Sequence, residues 1–117
     1  MNFMFEMGFD VKQGKSRDLQ QWLSGNEEKL SAEAPQGWEY VGTYASVQSS
    51  EKEAGDFRQL WKMDSYGAQD RFAEAMKEGG TFARLFDELT ELLDQDRHAR
   101  FSTTVMRSVT DVAIWGE

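Results

Sequence analysis

Residues 2–11 alternate strictly, with Phe3, Phe5, Met7, Phe9 and Val11 on one side and Met4, Glu6, Gly8 and Asp10 on the other. Period-two patterning with one strongly apolar side predicts a β-strand. Gln13-Gly14-Lys15 reads as a turn. Ser16 is placed to cap a helix whose Leu19, Trp22, Leu23 and Leu30 share one stripe. Ser24-Gly25-Asn26-Glu27 has capping-box spacing, so the helix is expected to break and restart at Gly25. Ala34-Pro35-Gln36-Gly37 ends it, because Pro35 cannot continue a helix and Gly37 suits a turn.

A second strand follows at residues 38–48, WEYVGTYASVQ, rich in β-branched and aromatic side chains. A polar loop over residues 49–55 joins it to a third strand at 56–63, a spacing that suits an antiparallel hairpin. Asp64-Ser65 supplies the oxygen-bearing side chains that cap a helix start. The helical region beyond comes in two pieces. The first carries Ala68, Phe72, Ala75 and Met76 on one side and stops at Gly79-Gly80. The second, capped by Thr81, carries Phe82, Leu85, Phe86, Leu89, Leu92 and Leu93, the clearest helical stripe in the chain. The charged run DQDRHAR leads to a last strand at 101–109, extended by residues 112–115.

The order β-α-β-β-α-β, two strand–helix–strand halves sharing one antiparallel sheet, predicts a ferredoxin-like α+β sandwich spanning residues 1–117. Helices cover one face of such a sheet, and the second helical region is split in two. The other face is not hydrophilic in any strand. Trp38, Tyr40, Gly42 and Tyr44 oppose Val41, Thr43, Ala45 and Val47; Phe57, Gln59, Trp61 and Met63 oppose Arg58, Leu60, Lys62 and Asp64. A sheet face exposed to water shows cleaner polar alternation, so the second face is expected to be buried in an isologous homodimer.

Composition narrows the partners. The 117 residues carry a net charge of −8, which repels nucleic-acid phosphates and anionic membranes alike. Cysteine is absent, which excludes disulfides, thiolate catalysis and zinc–thiolate sites. The opening MNFMFEMGFD lacks the basic n-region of a secretory signal, and no apolar run approaches the ~20 residues of a membrane span. A soluble, cytoplasmic protein is the expectation.

The segment Leu60-Trp61-Lys62-Met63-Asp64-Ser65 resembles the third-strand motif of NIPSNAP-like proteins, within the dimeric α+β barrel superfamily. The predicted topology extends that resemblance over nearly the whole chain. It implies two ferredoxin-like subunits packed sheet against sheet. The superfamily includes cofactor-independent monooxygenases of antibiotic biosynthesis, haem-degrading enzymes, polyketide cyclases, stress-responsive dimers and proteins without known activity. Haem-degrading relatives carry an iron-ligating helix histidine. Here the only histidine, His98, lies beyond the second helical region, so no haem or other cofactor is expected. The monooxygenases surround an aromatic substrate with Trp, Tyr and Asn, a set that Trp61, Tyr40 and Tyr44 match by residue type.

Candidate chemistry is sparse. His98 has Asp96 beside it, but no serine sits in a nucleophile elbow for it to activate, and a solvated loop is the simpler reading. Glu6 and Asp10 share a strand side but stand roughly 13 Å apart, too far to share a proton. Glu6 alone, on a central strand facing a barrel interior, is the candidate general base; the competing reading is a salt bridge to Arg58 or Arg107. Tyr40, Tyr44, Trp61 and Arg107 are the candidate ligand-pocket residues. The acidic pairs lack calcium-loop spacing, and no metal is expected. Three functions follow: a homodimer binding a small apolar or aromatic molecule; a cofactor-independent monooxygenase or isomerase; or a structural or regulatory dimer without a ligand.

Overall fold

A computed structural model describes residues 3–51, 55–94 and 101–110. The chain runs β1 (Phe3–Phe9), α1 (Ser16–Ala32), β2 (Trp38–Ala45), β3 (Phe57–Met63), α2 (Ala68–Glu78), α3 (Thr81–Leu92) and β4 (Ser102–Arg107). The four strands form one antiparallel sheet in the order β2-β3-β1-β4. This is the expected ferredoxin-like arrangement, with the second helical region split as the Gly79-Gly80 pair foretold. Gly79 adopts φ 70°, a left-handed conformation that ends α2 and suits glycine above all other residues.

Directly opposed residues of neighbouring strands point to the same face. Phe5 lies opposite Trp61 and Val105, and Met7 opposite Gln59 and Thr103. Phe3, Met7, Phe9, Trp61 and Met63 therefore share one side, where they are buried with Leu19 and Leu30 of α1 and Phe82, Leu85, Phe86 and Leu89 of α3. All three helices feed this single core. Among the described residues, no helix packs on the opposite side of the sheet.

Several local expectations give way to tertiary forces. α1 runs unbroken through Gly25. Its stripe is held by Leu19 and Leu30 in the core and by the Trp22 indole donating to Glu88 of α3 at 2.9 Å, so no interruption is favoured. Ser16 is the first helical residue rather than the cap, and Lys15 takes the cap position. Asp64 and Ser65 do not cap α2, which begins at Ala68 after Gly67. Asp64 instead accepts from Arg71 Nη2 at 2.7 Å, while Arg71 Nε donates to the Gln36 carbonyl at 2.6 Å. The knot encloses Gly37 (φ 88°), where an added Cβ would collide with the Arg71 guanidinium and the Asp64 carboxylate. The last helix follows Gly80, with Thr81 as its first residue rather than its cap. The last strand is shorter than its pattern suggested, Ser102–Arg107. His98 and residues 112–115 lie outside the described residues.

The largest departure is in β2. Its register shifts between Tyr40, opposite Trp61, and Gly42, opposite Leu60, leaving Val41 as an extra residue. Such a bulge reverses the facing of everything beyond it. Tyr40, Thr43 and Ala45 face the helices, whereas Gly42 and Tyr44 face away. Strict alternation had put Tyr40 and Tyr44 together. The Tyr44 ring folds over Gly42, and a Cβ on that residue would come within 3.0 Å of the phenol oxygen.

Candidate functional site

The helix side of the sheet is filled. Trp61 is 0% exposed, and its ring centroid lies 5.1–6.4 Å from those of Tyr40, Trp38, Phe82 and Phe86. Trp38 adds a 2.7 Å hydrogen bond from its indole nitrogen to the Ala68 carbonyl, tying β2 to the start of α2. Polar atoms inside this aromatic layer are matched to each other. The Trp61 indole donates to Gln59 Oε1 at 2.7 Å, and Gln59 Nε2 donates to Thr43 Oγ1 at 3.2 Å. The Tyr40 hydroxyl lies 2.7 Å from Thr43 Oγ1 and donates to Glu27 Oε2 at 2.7 Å. Burial, reinforced by Glu27 and opposed by the Thr43 hydrogen bond, pushes the Tyr40 phenol above its ordinary value. The relay is a structural joint between α1 and the sheet: it satisfies buried donors that would otherwise destabilise the layer.

The uncovered side is organised in three rows across the sheet. Glu39, Lys62, Met4 and Met106 form one; Gly42, Leu60, Glu6 and Thr104 the next; Tyr44, Arg58, Gly8 and Ser102 the third. At the centre, Arg58 Nη1 donates to Glu6 Oε1 at 2.7 Å, and each side chain is only about a fifth exposed. Arg58 Nη2 also reaches Ser49 Oγ at 3.3 Å, while its buried Nε has no hydrogen-bond partner among the described residues. Met4 and Leu60 are half-buried beside this pair; Met106 and Tyr44 are exposed at its flanks, 43% and 52%.

At the end of the sheet where β1 begins and β4 finishes, Phe3, Tyr66, Val105, Met106 and Arg107 line an open cleft of about 470 Å³. Tyr66 comes from the turn between β3 and α2, and its ring stands 6.4 Å from that of Phe3. Three clefts elsewhere carry carboxylates, and one between α1 and β2, lined by Leu19, Leu23, Tyr44 and Phe57, carries no charge. One of the three, of about 460 Å³, is lined by Glu33, Asp70, Glu74 and Glu78 together with Arg71.

The five residues singled out from the sequence are thus not one pocket. Trp61 and Tyr40 belong to the filled layer under the helices, Glu6 and Tyr44 face the opposite side, and Arg107 stands at the rim of the sheet. Glu6 has Arg58 as its partner, the alternative that the sequence itself offered. Tyr66 carried no signal of its own, because it sits in a turn that periodicity does not place. Gln59 did break an otherwise aromatic and aliphatic strand face, and that break marks the buried polar joint. Among the described residues no three His, Asp or Glu side chains stand close enough to hold a metal ion, and no helix is long and apolar enough to cross a membrane.

A four-stranded antiparallel sheet in this order, with the three described helices on one side, defines a ferredoxin-like α+β protein. Solved structures narrow the description to the NIPSNAP-like form of that fold. A NIPSNAP family protein from Agrobacterium tumefaciens superposes with a TM-score of 0.66 over 92% of this chain and 85% of its own, at 9% identity. An uncharacterised NIPSNAP-like domain protein from Burkholderia xenovorans gives 0.65 over 95% and 88%, at 10% identity. A NIPSNAP domain protein from the same organism gives 0.63 over the full length of both chains, at 9% identity. The likeness lies in the fold; no protein-family model matches the sequence, nor does any curated protein.

Proposed function

We propose that the protein works as a homodimer, formed by packing the uncovered sheet faces of two copies together, and that it takes a small apolar or aromatic molecule at the end of that sheet. The uncovered face carries the proposal. It combines Met4, Leu60, Met106 and Tyr44 with a partly buried Glu6–Arg58 pair in a protomer whose other face already has its helix layer. A sheet with apolar content on both faces is stable when each is covered, and a second copy supplies a cover of matching shape and period. Apolar side chains around a central, hydrogen-bonded charge pair have the composition of a protein interface rather than of a solvated face. On this reading Glu6 serves the interface.

The small-molecule site is assigned to the rim because the interior beside Trp61 is already occupied by packed rings. Sedimentation velocity tests the dimer. The wild type is expected to sediment as a dimer, and Leu60→Lys, which sets a charge in the middle row, as a folded monomer with an unchanged far-UV spectrum. A wild-type monomer at the highest workable concentration would leave the uncovered face without the role given to it.

A further inference from the structure

The rim cleft differs in sign from the acidic clefts of the surface. In a chain of net charge −8, its lining of Phe3, Tyr66, Val105, Met106 and Arg107 contains no carboxylate. Three other clefts hold Glu33, Asp70, Glu74 and Glu78, or Asp10, Glu51 and Asp56, or Glu39 and Asp64, and a fourth, beside Leu19, Leu23 and Tyr44, has no charged side chain at all. Cations in or beside those places are already engaged: Arg71 with Asp64 at 2.7 Å, Lys62 with Glu39 at 3.9 Å. Arg107 has no ion pair among the described residues. It stands across the strand pair from Phe3, whose ring shares the cleft wall with Tyr66.

A guanidinium is a planar fork of donors that matches a carboxylate in two parallel hydrogen bonds, and it remains charged at every working pH. Set beside aromatic and aliphatic walls in a cleft of about 470 Å³, it is the one charged side chain of the lining and supplies the anchor that orients an otherwise apolar ligand. We propose that the rim cleft binds a small monocarboxylate with an aromatic or short aliphatic body, the body against Tyr66, Phe3 and Val105 and the carboxylate on Arg107. This rests on the rim location in the functional reading above and adds the charge and class of the ligand. The surrounding negative field selects against polyanions, and a single charge paired to Arg107 satisfies the cation without importing a second repelled group.

The test is a two-dimensional amide NMR titration with phenylacetate and, separately, with its uncharged analogue phenylacetamide. Saturable shifts at Phe3, Tyr66 and residues 105–107 are expected with the acid, and affinity for the amide is expected to be roughly ten- to a hundredfold lower. Arg107→Gln should lose a similar factor for the acid and none for the amide, while Arg107→Lys retains part of it. The outcomes separate cleanly. Acid and amide binding alike at the cleft would keep the rim as a site for apolar molecules and overturn the carboxylate assignment. No saturable shift with either, or shifts elsewhere, would overturn both. Arg107 is exposed on an edge strand, so these variants are expected to fold; the amide titration on Arg107→Gln also checks that the cleft is intact.

Discussion

The two faces of the sheet are made from alternate residues of the same strands, and they have reached opposite solutions. Toward the helices, Trp61, Trp38, Phe82 and Phe86 interlock and every buried polar atom of the Tyr40–Thr43–Gln59–Trp61 relay has a partner. Away from the helices, Met4 and Leu60 are only half-buried, and the central Arg58 hydrogen-bonds Glu6 and Ser49 yet leaves its Nε without a partner among the described residues. One face is complete within the protomer; the other has half-desolvated its charges without finishing the enclosure. Incomplete burial of a charge pair costs desolvation while giving up part of the low-dielectric attraction that offsets it. A surface in that condition is the ground on which the homodimer is proposed.

The comparison breaks most sharply on large-to-small substitutions. Trp61→Ala should cost about 3–5 kcal/mol, because it empties the middle of the aromatic layer and strands the Gln59 carbonyl. Leu60→Ala, one residue away on the other face, should cost less than half as much in the isolated protomer, in keeping with its partial burial. Urea denaturation of the two variants measures both. Equal losses would mean that the two faces are energetically alike within one chain.

Glu6→Gln sharpens the role of the uncovered side. Removing the anion leaves Arg58 partly buried without its counter-charge, at a cost of about 1–3 kcal/mol. The cost should appear in protomer stability and in the sedimentation of the proposed dimer, and any binding at the proposed rim site should be unchanged. A variant as stable and as associated as the wild type would take the ion pair out of the proposed interface.

The smallest effect concerns alkali. The buried Tyr40 phenol is held above the usual tyrosine value of about 10, so the folded chain keeps a proton that the unfolded chain releases. The associated stability is fully present below about pH 10 and falls as pH rises past it. Urea midpoints measured across that range should decline for the wild type more steeply than for Tyr40→Phe. Parallel slopes would show that the phenol does not sense the fold.

Much of the architecture was legible in residue order. Alternation placed β1 and β3 to within a residue or two, and the stripe from Phe82 to Leu93 marked α3, which ends at Leu92, with Gly79-Gly80 as its boundary, since period and punctuation are local properties. The candidate site was less legible. Tyr40 and Tyr44 read as one surface, and the bulge at Val41 parts them. Glu6 and Arg107 read as members of that same pocket, and the register sets one at the centre of the sheet and the other at its end.

The chain by itself therefore determined which segments are strands and helices, their order, and the apolar content of both sheet faces. These depend on side chains a few residues apart and on the solvent each prefers. Tertiary structure alone decided where β2 slips, that Gly25 does not break α1, that Asp64 binds Arg71 instead of capping α2, and which polar groups meet: Tyr40 with Glu27, Glu6 with Arg58, Tyr66 with the Arg107 cleft. Each of those outcomes is settled by neighbours distant in sequence, whose packing and hydrogen bonds outweigh local preferences of a kcal/mol or so.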